Sequence, residues 1–393
     1  VAQDGIISSL DFMRIIGHLD ADAFFASVEE KYTPSFRGKP LVVGSDPKQG
    51  YGRGVVSTAS YAAREYGIHS AMPISKAWQV SQLAKSQGKP EVIFLPVDFE
   101  LYGAVSFNIF QIIKKYLPAE ASAKEGAPLT EQASVDEFYF DLGHYKTFKK
   151  AEQICQKIKK EIKAQEKITC SIGVGPNKLI AKIAAGVNKP DGLLIVRQNE
   201  ATDFLEPMEI REIPGIGPKT QEMLNKQNIF LIKDLKQLSQ QELKEKLGKR
   251  GMDLYFKARG IDHSPIAQNR ETKSIGEQNT FERDTFDIIF IGSEFEKCCA
   301  RVFERFKKSG FSSFKTVAVT VRLSDFTTKT TAKSFPEPCL ASDSKKFRIE
   351  ALKLLLPYLD RRKNPKQKLI RLIGVRVENF AKNPDLSKET KTF

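Results

Sequence analysis

Apolar and polar positions along this chain predict strands and helices that come in blocks. Arg14-Ile15-Ile16-Gly17-His18-Leu19 is a short apolar run of strand type, which leads into Asp20-Ala21-Asp22 and then into the helical Phe24-Phe25-Ala26-Ser27-Val28-Glu29-Glu30. Pro34 and the turn Arg37-Gly38-Lys39-Pro40 end that helix, and Leu41-Val42-Val43-Gly44 reads as a buried strand. A glycine-rich loop over 46–54 precedes strand-like Val55-Val56-Ser57-Thr58 and a helix from Tyr61 to Tyr66, closed by Gly67. Pro73 opens the next helix at its first turn. Residues 33–92 thus read as a small lobe inserted into a larger unit that resumes at 93. There follow the strand Val92-Ile93-Phe94-Leu95, an amphipathic helix over 98–116, a hairpin whose returning arm is Phe138-Tyr139-Phe140-Asp141-Leu142, a Lys-rich helix at 149–164 and the strand Ile168–Val174. Strand and helix alternating around a hairpin predict a ferredoxin-like sheet backed by helices.

The second half changes character twice. Residues 197–263 turn helical around Ile213-Pro214-Gly215-Ile216-Gly217-Pro218-Lys219-Thr220, a Gly-x-Gly hairpin between short helices that offers backbone N–H groups to phosphate. A polar linker at 264–273 separates this from a last domain with strands at 315–323 and 369–378 and helices at 293–308 and 344–359, a βαββαβ-like order. Residues 1–12 and 381–393 show no periodicity and read as tails. The fold class is α+β, in several domains.

Composition narrows what such a chain can do. The 393 residues are enough for roughly two to four domains, and no apolar run approaches the ~18 residues of a membrane span, so a soluble, cytoplasmic or otherwise intracellular protein is expected. Five cysteines without a C-x-x-C pair and only four histidines argue against a disulfide framework or a zinc site. The net charge is +14, and residues 274–393 alone hold 24 Lys/Arg against 15 Asp/Glu. A basic excess concentrated in one domain suits a phosphate backbone.

Two acidic clusters, Asp20-Ala21-Asp22 and Ser134-Val135-Asp136-Glu137, each adjoin an apolar strand. Carboxylates at strand ends, aimed at one point, bind Mg²⁺ and leave coordination positions open for substrate phosphates. On a strand, Asp20 and Asp22 share a face; Asp136 and Glu137, being adjacent, serve one site only if the chain twists there. Either cluster alone is as well explained by solvated acids. Their co-occurrence favours a metal site. Phe24-Phe25 reads first as core filling, and Tyr61 with Arg64 as a surface pair unless the glycine-rich loop beside them holds phosphate.

The ordered series resembles the Y-family of translesion DNA polymerases, most closely the bacterial DNA polymerase IV type. The resemblance rests on His18–Glu29, Ser57–Arg64, Ser134–Tyr139, Gly175-Pro176-Asn177-Lys178 through Ala184, Lys189-Pro190-Asp191-Gly192, the Pro214–Gly217 hairpin, Lys273-Ser274-Ile275-Gly276 and Ile373-Gly374-Val375-Arg376-Val377. It implies a right-hand polymerase: a ferredoxin-like palm at 13–32 and 93–196, fingers at 33–92, a helix-hairpin-helix thumb at 197–263 and a little finger at 274–380. It implies two Mg²⁺ held by the catalytic Asp20, Asp136 and Glu137 with the carbonyl of Ala21, and leaves Asp22 outside the ligand set. Phe24, Phe25, Thr58, Tyr61, Arg64 and Lys189 would line the nucleotide, with Phe25 as steric gate against a 2′-hydroxyl. Gly215, Gly217, Lys219, Lys273 and Arg376 are the expected DNA contacts. The implied activity is error-prone, template-directed synthesis from dNTP on a primer–template by a monomer. Phe138 stands where the family more often has a small residue, and 118–132 is longer than usual. No clamp-binding tail of Gln-x-x-Leu type precedes Lys391-Thr392-Phe393, so a sliding clamp stays an open partner.

Two rivals are set against this. A nucleotidyl cyclase uses a similar acidic palm but needs neither the hairpin at 213–220 nor a basic last domain. A DNA-bridging scaffold would not need three intact acids.

Overall fold

The central strand of the first sheet is the apolar run that opens the chain. In the computed structural model, which describes residues 14–118, 129–267, 271–360 and 362–382, β1 (Ile16–Ala21) lies in the middle of a five-stranded sheet. Numbering the strands along the chain, β2 is Leu41–Gly44, β3 Val56–Ala59, β4 Ile93–Leu95, β5 Thr130–Gln132, β6 Glu137–Asp141, β7 Cys170–Gly175 and β8 Leu193–Ile195. The sheet order is β5-β6-β1-β7-β8, with β1 antiparallel to both neighbours. Leu19, Phe138, Phe140, Ile172 and Val174 face the long helices Phe99–Lys115 and Phe148–Glu166 and form the main core with Val105, Ile109, Cys155 and Ile158. Ile16 and Tyr139 point to the other face, where they meet Ala181 of the helix Lys178–Val187. That helix lies close on the sheet because β7 carries Gly173: a Cβ there would sit 2.1 Å from the Ala181 carbonyl oxygen and 2.3 Å from the Ala185 nitrogen. Gly173→Val is therefore expected to cost several kcal/mol, in the range of overpacked cores or more, read as a drop in denaturation midpoint.

The inserted lobe has its own three-stranded sheet, β3-β2-β4, under the helix Ile74–Ser86, with Val42, Val56, Ala59, Ile68 and Ala77 in its core. β4 corrects the boundary expected at 92/93. It pairs in parallel with β2, Leu41 opposite Ile93 and Val43 opposite Leu95, so the lobe's sheet is closed by the strand that leads back into the larger one. Pro73 occupies the N-cap position, one residue earlier than expected. From Ala201 to Lys257 the chain forms five short helices around Leu205, Ile213, Leu224, Ile232, Leu235 and Leu243, and their core continues into Leu179 and Ile183 of the helix Lys178–Val187.

The chain divides into two compact units, one of residues 1–51 and 55–269, the other of 52–54 and 270–393. In the second, β9 (Ser274–Thr285), the helix Ile288–Lys308, β10 (Phe311–Leu323), β11 (Thr328–Leu340), the helix Ser344–Leu359 and β12 (Ile370–Lys382) follow in the expected βαββαβ order. The helix begins five residues earlier than its apolar period indicated, where Asp287 Oδ1 accepts from the Ile289 and Phe290 N–H groups at 2.9 and 3.0 Å. β12 runs on to Lys382, past the expected tail boundary at 380. The sheet order is β11-β10-β12-β9. Val317, Val319 and Val321 pair with Val377, Val375 and Ile373 and are buried under the two helices. The alternate positions, Ala318 with Arg376 and Ala332, and Thr320 with Gly374 and Thr330, are small or polar and lie outside that core. The parts of the expected tails at 1–12 and 383–393, the linker residues 268–270, and 119–128 of the long 118–132 segment lie outside the described residues.

Candidate active site

Sheet register brings the two acidic clusters together. Asp20 near the end of β1 lies directly opposite Glu137, the first residue of β6, and the next N–H along, that of Ala21, donates to the Asp136 carbonyl at 3.0 Å. The adjacent pair Asp136 and Glu137 escapes strict alternation because only Glu137 belongs to the strand; Asp136 ends the turn after β5. Asp20 and Glu137 stay partly exposed while the residues behind them are buried, so the sheet edge presents acids on an apolar floor.

Asp22 does not share this face. β1 ends at Ala21, and Asp22 is 1% exposed, its Oδ1 accepting from the Ser171 hydroxyl at 2.8 Å and its Oδ2 from the Asp191 N–H at 2.8 Å. The alternation rule failed because the strand stops one residue sooner than the acidic pattern.

Each acid has a partner within the chain. Lys182 Nζ donates to both Glu137 oxygens at 2.6 Å. Lys189 forms an ion pair with Asp20. Asp136 Oδ1 accepts from the Ser134 hydroxyl at 2.5 Å. Burial raises the Asp20 pKa; Lys189 opposes that rise, while Asp136 and Glu137 add to it. The Glu137 carboxyl is held down to about 2 by the His18 imidazole and by Lys182, against its own burial. At 3.7 Å the His18 contact is too long for a hydrogen bond, and the ammonium is the stronger of the two influences.

His18 itself is 1% exposed, and neither ring nitrogen has a hydrogen-bond partner. Burial lowers its pKa, which keeps it neutral. Because the unfolded chain then binds a proton that the native one does not, stability contributed here is present above pH ~6.5 and is lost as pH falls below it, by at most ~1.4 kcal/mol per pH unit. His18→Phe should flatten the fall in melting temperature between pH 6.5 and 5. An unchanged slope would mean that His18 finds a proton acceptor in the native state.

Of the expected nucleotide residues, Lys189 pairs with Asp20, and Tyr61 lies near Asp22 and Asp20. Ser60 caps the helix Tyr61–Arg64, its hydroxyl accepting from the Leu41 and Ala63 N–H groups at 2.8 and 3.3 Å and donating to the Lys39 carbonyl at 3.1 Å. Tyr61 is thereby fixed with its hydroxyl buried and unpartnered, its pKa pushed up to about 12 by burial and by nearby Asp22. Arg64 lies over the Tyr61 ring at 4.7 Å and donates from Nε to the Ala59 carbonyl at 3.1 Å. Thr58 pairs with Val43 in the lobe's sheet. Phe24 is buried in the core; Phe25 is half-buried, stacked on Tyr102 with centroids 4.2 Å apart. Farther off in the same unit, Gly215 adopts φ +107°, Gly217 caps the helix Pro218–Asn225 and Lys219 is exposed. In the second unit Lys273 and Arg376 are exposed, and Arg376 Nε contacts Glu378 at 2.6 Å.

His18, Lys178 and Lys182 are the residues whose roles the sequence reading left unassigned. The two lysines stand four apart on a helix whose other positions are largely apolar, so both project over the same sheet face, and that spacing was the available signal. Lys178 Nζ donates to buried Glu131 at 2.6 Å.

The donor set of Asp20, Asp136 and Glu137 carboxylates with the Ala21 carbonyl is all oxygen, as Mg²⁺ requires. Among the described residues, however, no three His, Cys, Asp or Glu side chains are grouped closely enough to hold a metal ion. Two of the three acids are turned to lysines.

Comparisons with known proteins show the family of the chain. Residues 19–186 match the impB/mucB/samB family, 272–389 the C-terminal domain of that family, and 211–262 a thumb domain described for DNA polymerase-iota. The chain is 41% identical over 365 residues to DNA polymerase IV 2 of Methanosarcina mazei, covering 93% of this chain and 92% of that one. It is 39% identical over 329 residues to DNA polymerase IV of Streptococcus mutans, covering 84% of each. Among solved structures, a Y-family DNA polymerase chimera of Dbh and Dpo4 covers 94% of this chain with a TM-score of 0.79 and 32% identity, all of that chain being matched. An insertion ternary complex of Dbh DNA polymerase covers the same share with a TM-score of 0.61 and 31% identity, again with all of that chain matched. The palm, fingers and helical thumb, with a separate β-rich C-terminal domain, are the architecture of those structures. No helix among the described residues is long and apolar enough to cross a membrane. The chain belongs to the Y-family of DNA polymerases, of the DNA polymerase IV type.

Proposed function

We propose that this chain extends a primer 3′-hydroxyl from dNTP at the edge of β1 and β6, with Asp20, Asp136, Glu137 and the Ala21 carbonyl as ligands of two Mg²⁺. The register of Asp20 against Glu137, with Asp136 one peptide away, is the observation that carries it. The enzyme is a DNA-directed DNA polymerase, and its synthesis is template-directed and tolerant of damage. Bound there, two Mg²⁺ would activate the 3′-hydroxyl and stabilise the charge of the triphosphate and departing pyrophosphate.

The protein's own residues supply position. The buried, unpartnered Tyr61 hydroxyl fits a phosphate oxygen that replaces water, and Arg64 stands beside it, already held by the Ala59 carbonyl. Lys189 has Asp20 as its partner here and would turn to the triphosphate. Phe25, braced by Tyr102, closes the space under the sugar. We assign the palm to 13–32 and 93–196, except that β4 joins the fingers, and the fingers, thumb and little finger to 33–92, 197–263 and 274–380. Monomeric action fits a metal and nucleotide site whose proposed residues all lie in one unit.

Primer extension with undamaged and lesion-bearing templates tests this reading; incorporation only opposite template bases supports it, whereas cyclisation of a free nucleoside triphosphate would replace it with the cyclase. Arg376, on the little-finger face that lies outside the core, is expected to contact phosphate, so Arg376→Ala should weaken duplex binding on all sequences and lower the salt slope by about one. An unchanged slope would remove Arg376 from the DNA-contacting surface.

A further inference from the structure

Two lysine–glutamate pairs on one helix differ in a way that points to an exchange. Lys178 and Lys182 stand a turn apart on the helix Lys178–Val187, and each reaches a glutamate at 2.6 Å. The Lys178 pair is shut in: its Glu131 side chain is 2% exposed, accepts a second bond from the Ala267 N–H at 2.9 Å, and the ammonium lies 4.5 Å from the Tyr139 ring. The Lys182 pair is open, with the lysine 32% and Glu137 25% exposed. Lys189 on Asp20 is similarly half-open, at 26% and 20%. Among the described residues Asp136 has the neutral Ser134 hydroxyl and no ion pair.

We infer that Lys182 and Lys189 are built-in counter-cations of the acidic edge, occupying in the metal-free chain the carboxylates that the metals need, so that metal entry displaces an ammonium from each. The inference rests on the ligand assignment proposed above. Three acids on one edge repel one another, and an ammonium on two of them leaves a single uncompensated charge, on Asp136. Asp136 is thus the carboxylate open to a first divalent ion, and Glu137 and Asp20 would join it only on letting go of Lys182 and Lys189. Lys189, once released, is free for the triphosphate, which couples nucleotide binding to metal occupancy. Lys182 positions Glu137. The helix that carries Lys182 is packed on the sheet over bare Gly173, whereas the Lys182 side chain is itself partly exposed. Release is expected from that side chain.

The experiment is Mn²⁺ binding to the full chain without DNA or nucleotide, followed by loss of the free-Mn²⁺ electron paramagnetic resonance signal. Lys182→Met, which keeps length and removes charge, is expected to bind about fivefold more tightly than the parent, the upper size of a partly exposed ion pair, and Lys189→Met similarly. Lys182→Arg should bind as the parent does. Melting without metal identifies any variant that fails to fold; the Lys189 variant then decides alone. Equal or weaker Mn²⁺ binding by folded Lys182→Met and Lys189→Met would overturn the exchange. Asp136→Asn separates the two claims: if it leaves Mn²⁺ binding intact, the ligand assignment itself fails, whatever the lysine variants do.

Discussion

Asp136→Asn should lower the rate of primer extension by about a hundredfold to a thousandfold while leaving duplex affinity and melting temperature near those of the parent. Removing a charged group that stabilises the transition state typically costs ~3–4 kcal/mol, and each ~1.4 kcal/mol is a factor of ten. Asp136 is the cleanest of the three acids to test. Its side-chain partner is the Ser134 hydroxyl, which an amide oxygen can also accept from, so the substitution strands no cation. Glu137→Gln, by contrast, would leave Lys182 without its counter-charge and mix a folding effect into the kinetics. Single-turnover extension measured beside duplex binding separates the outcomes. Joint loss of binding and extension would place Asp136 in the fold and not in the chemistry.

The second large effect is expected at Phe25. Phe25→Ala should raise ribonucleotide incorporation relative to deoxyribonucleotide by roughly a hundredfold, or ~2.7 kcal/mol of discrimination. The ring is held in place by stacking on Tyr102, at an interplanar angle of 15°, and by the edge of Phe99 at 6.3 Å. Tyr102 is fully buried, and its hydroxyl donates to Glu29 Oε1 at 2.6 Å, so the surface under Phe25 does not yield. Phe25 is half-buried where its neighbour Phe24 is 2% exposed. The stability cost of Phe25→Ala should accordingly fall below the ~3–5 kcal/mol of a core phenylalanine, whereas Phe24→Ala should reach it. Competition between the two sugars, read with chemical denaturation, checks both statements. A large stability loss with sugar selection intact would make Phe25 a core residue and nothing more.

What was legible in the sequence was whatever apolar period and strand-end acid could announce. β1, β6 and β7 are apolar runs long enough to declare themselves, and the acids at the ends of β1 and β6 followed. β9 and β11 were placed only by the βαββαβ order, since their mostly polar residues, such as Glu277, Glu282, Lys329 and Lys333, lack a clean apolar alternation. β4 was read as a strand but given to the wrong sheet, because a three-residue segment carries no information about its partner. Membership in a sheet is decided by non-local pairing, which period cannot encode. Lys182 escaped notice for the opposite reason: a lysine on an amphipathic helix ordinarily means solvent, and only the closeness permitted by Gly173 puts it over Glu137.

Asp22 will mislead anyone who scans this site by alanine. Its carboxylate hydrogen-bonds neither a proposed metal ligand nor a proposed nucleotide residue, yet it fastens Ser171, the β7 residue opposite Asp20, and the N–H of Asp191, two residues beyond Lys189. Its removal would shift the backbones that carry Asp20 and Lys189 together, and the kinetics would resemble loss of a fourth catalytic acid. Asp22→Asn can keep both contacts, its oxygen accepting from the Asp191 N–H and its NH₂ donating to the Ser171 hydroxyl, which can also accept, so it should restore much of what alanine loses. A phenotype at this position reports on how two charges are kept in common alignment, and it belongs in the ledger of folding, not of chemistry.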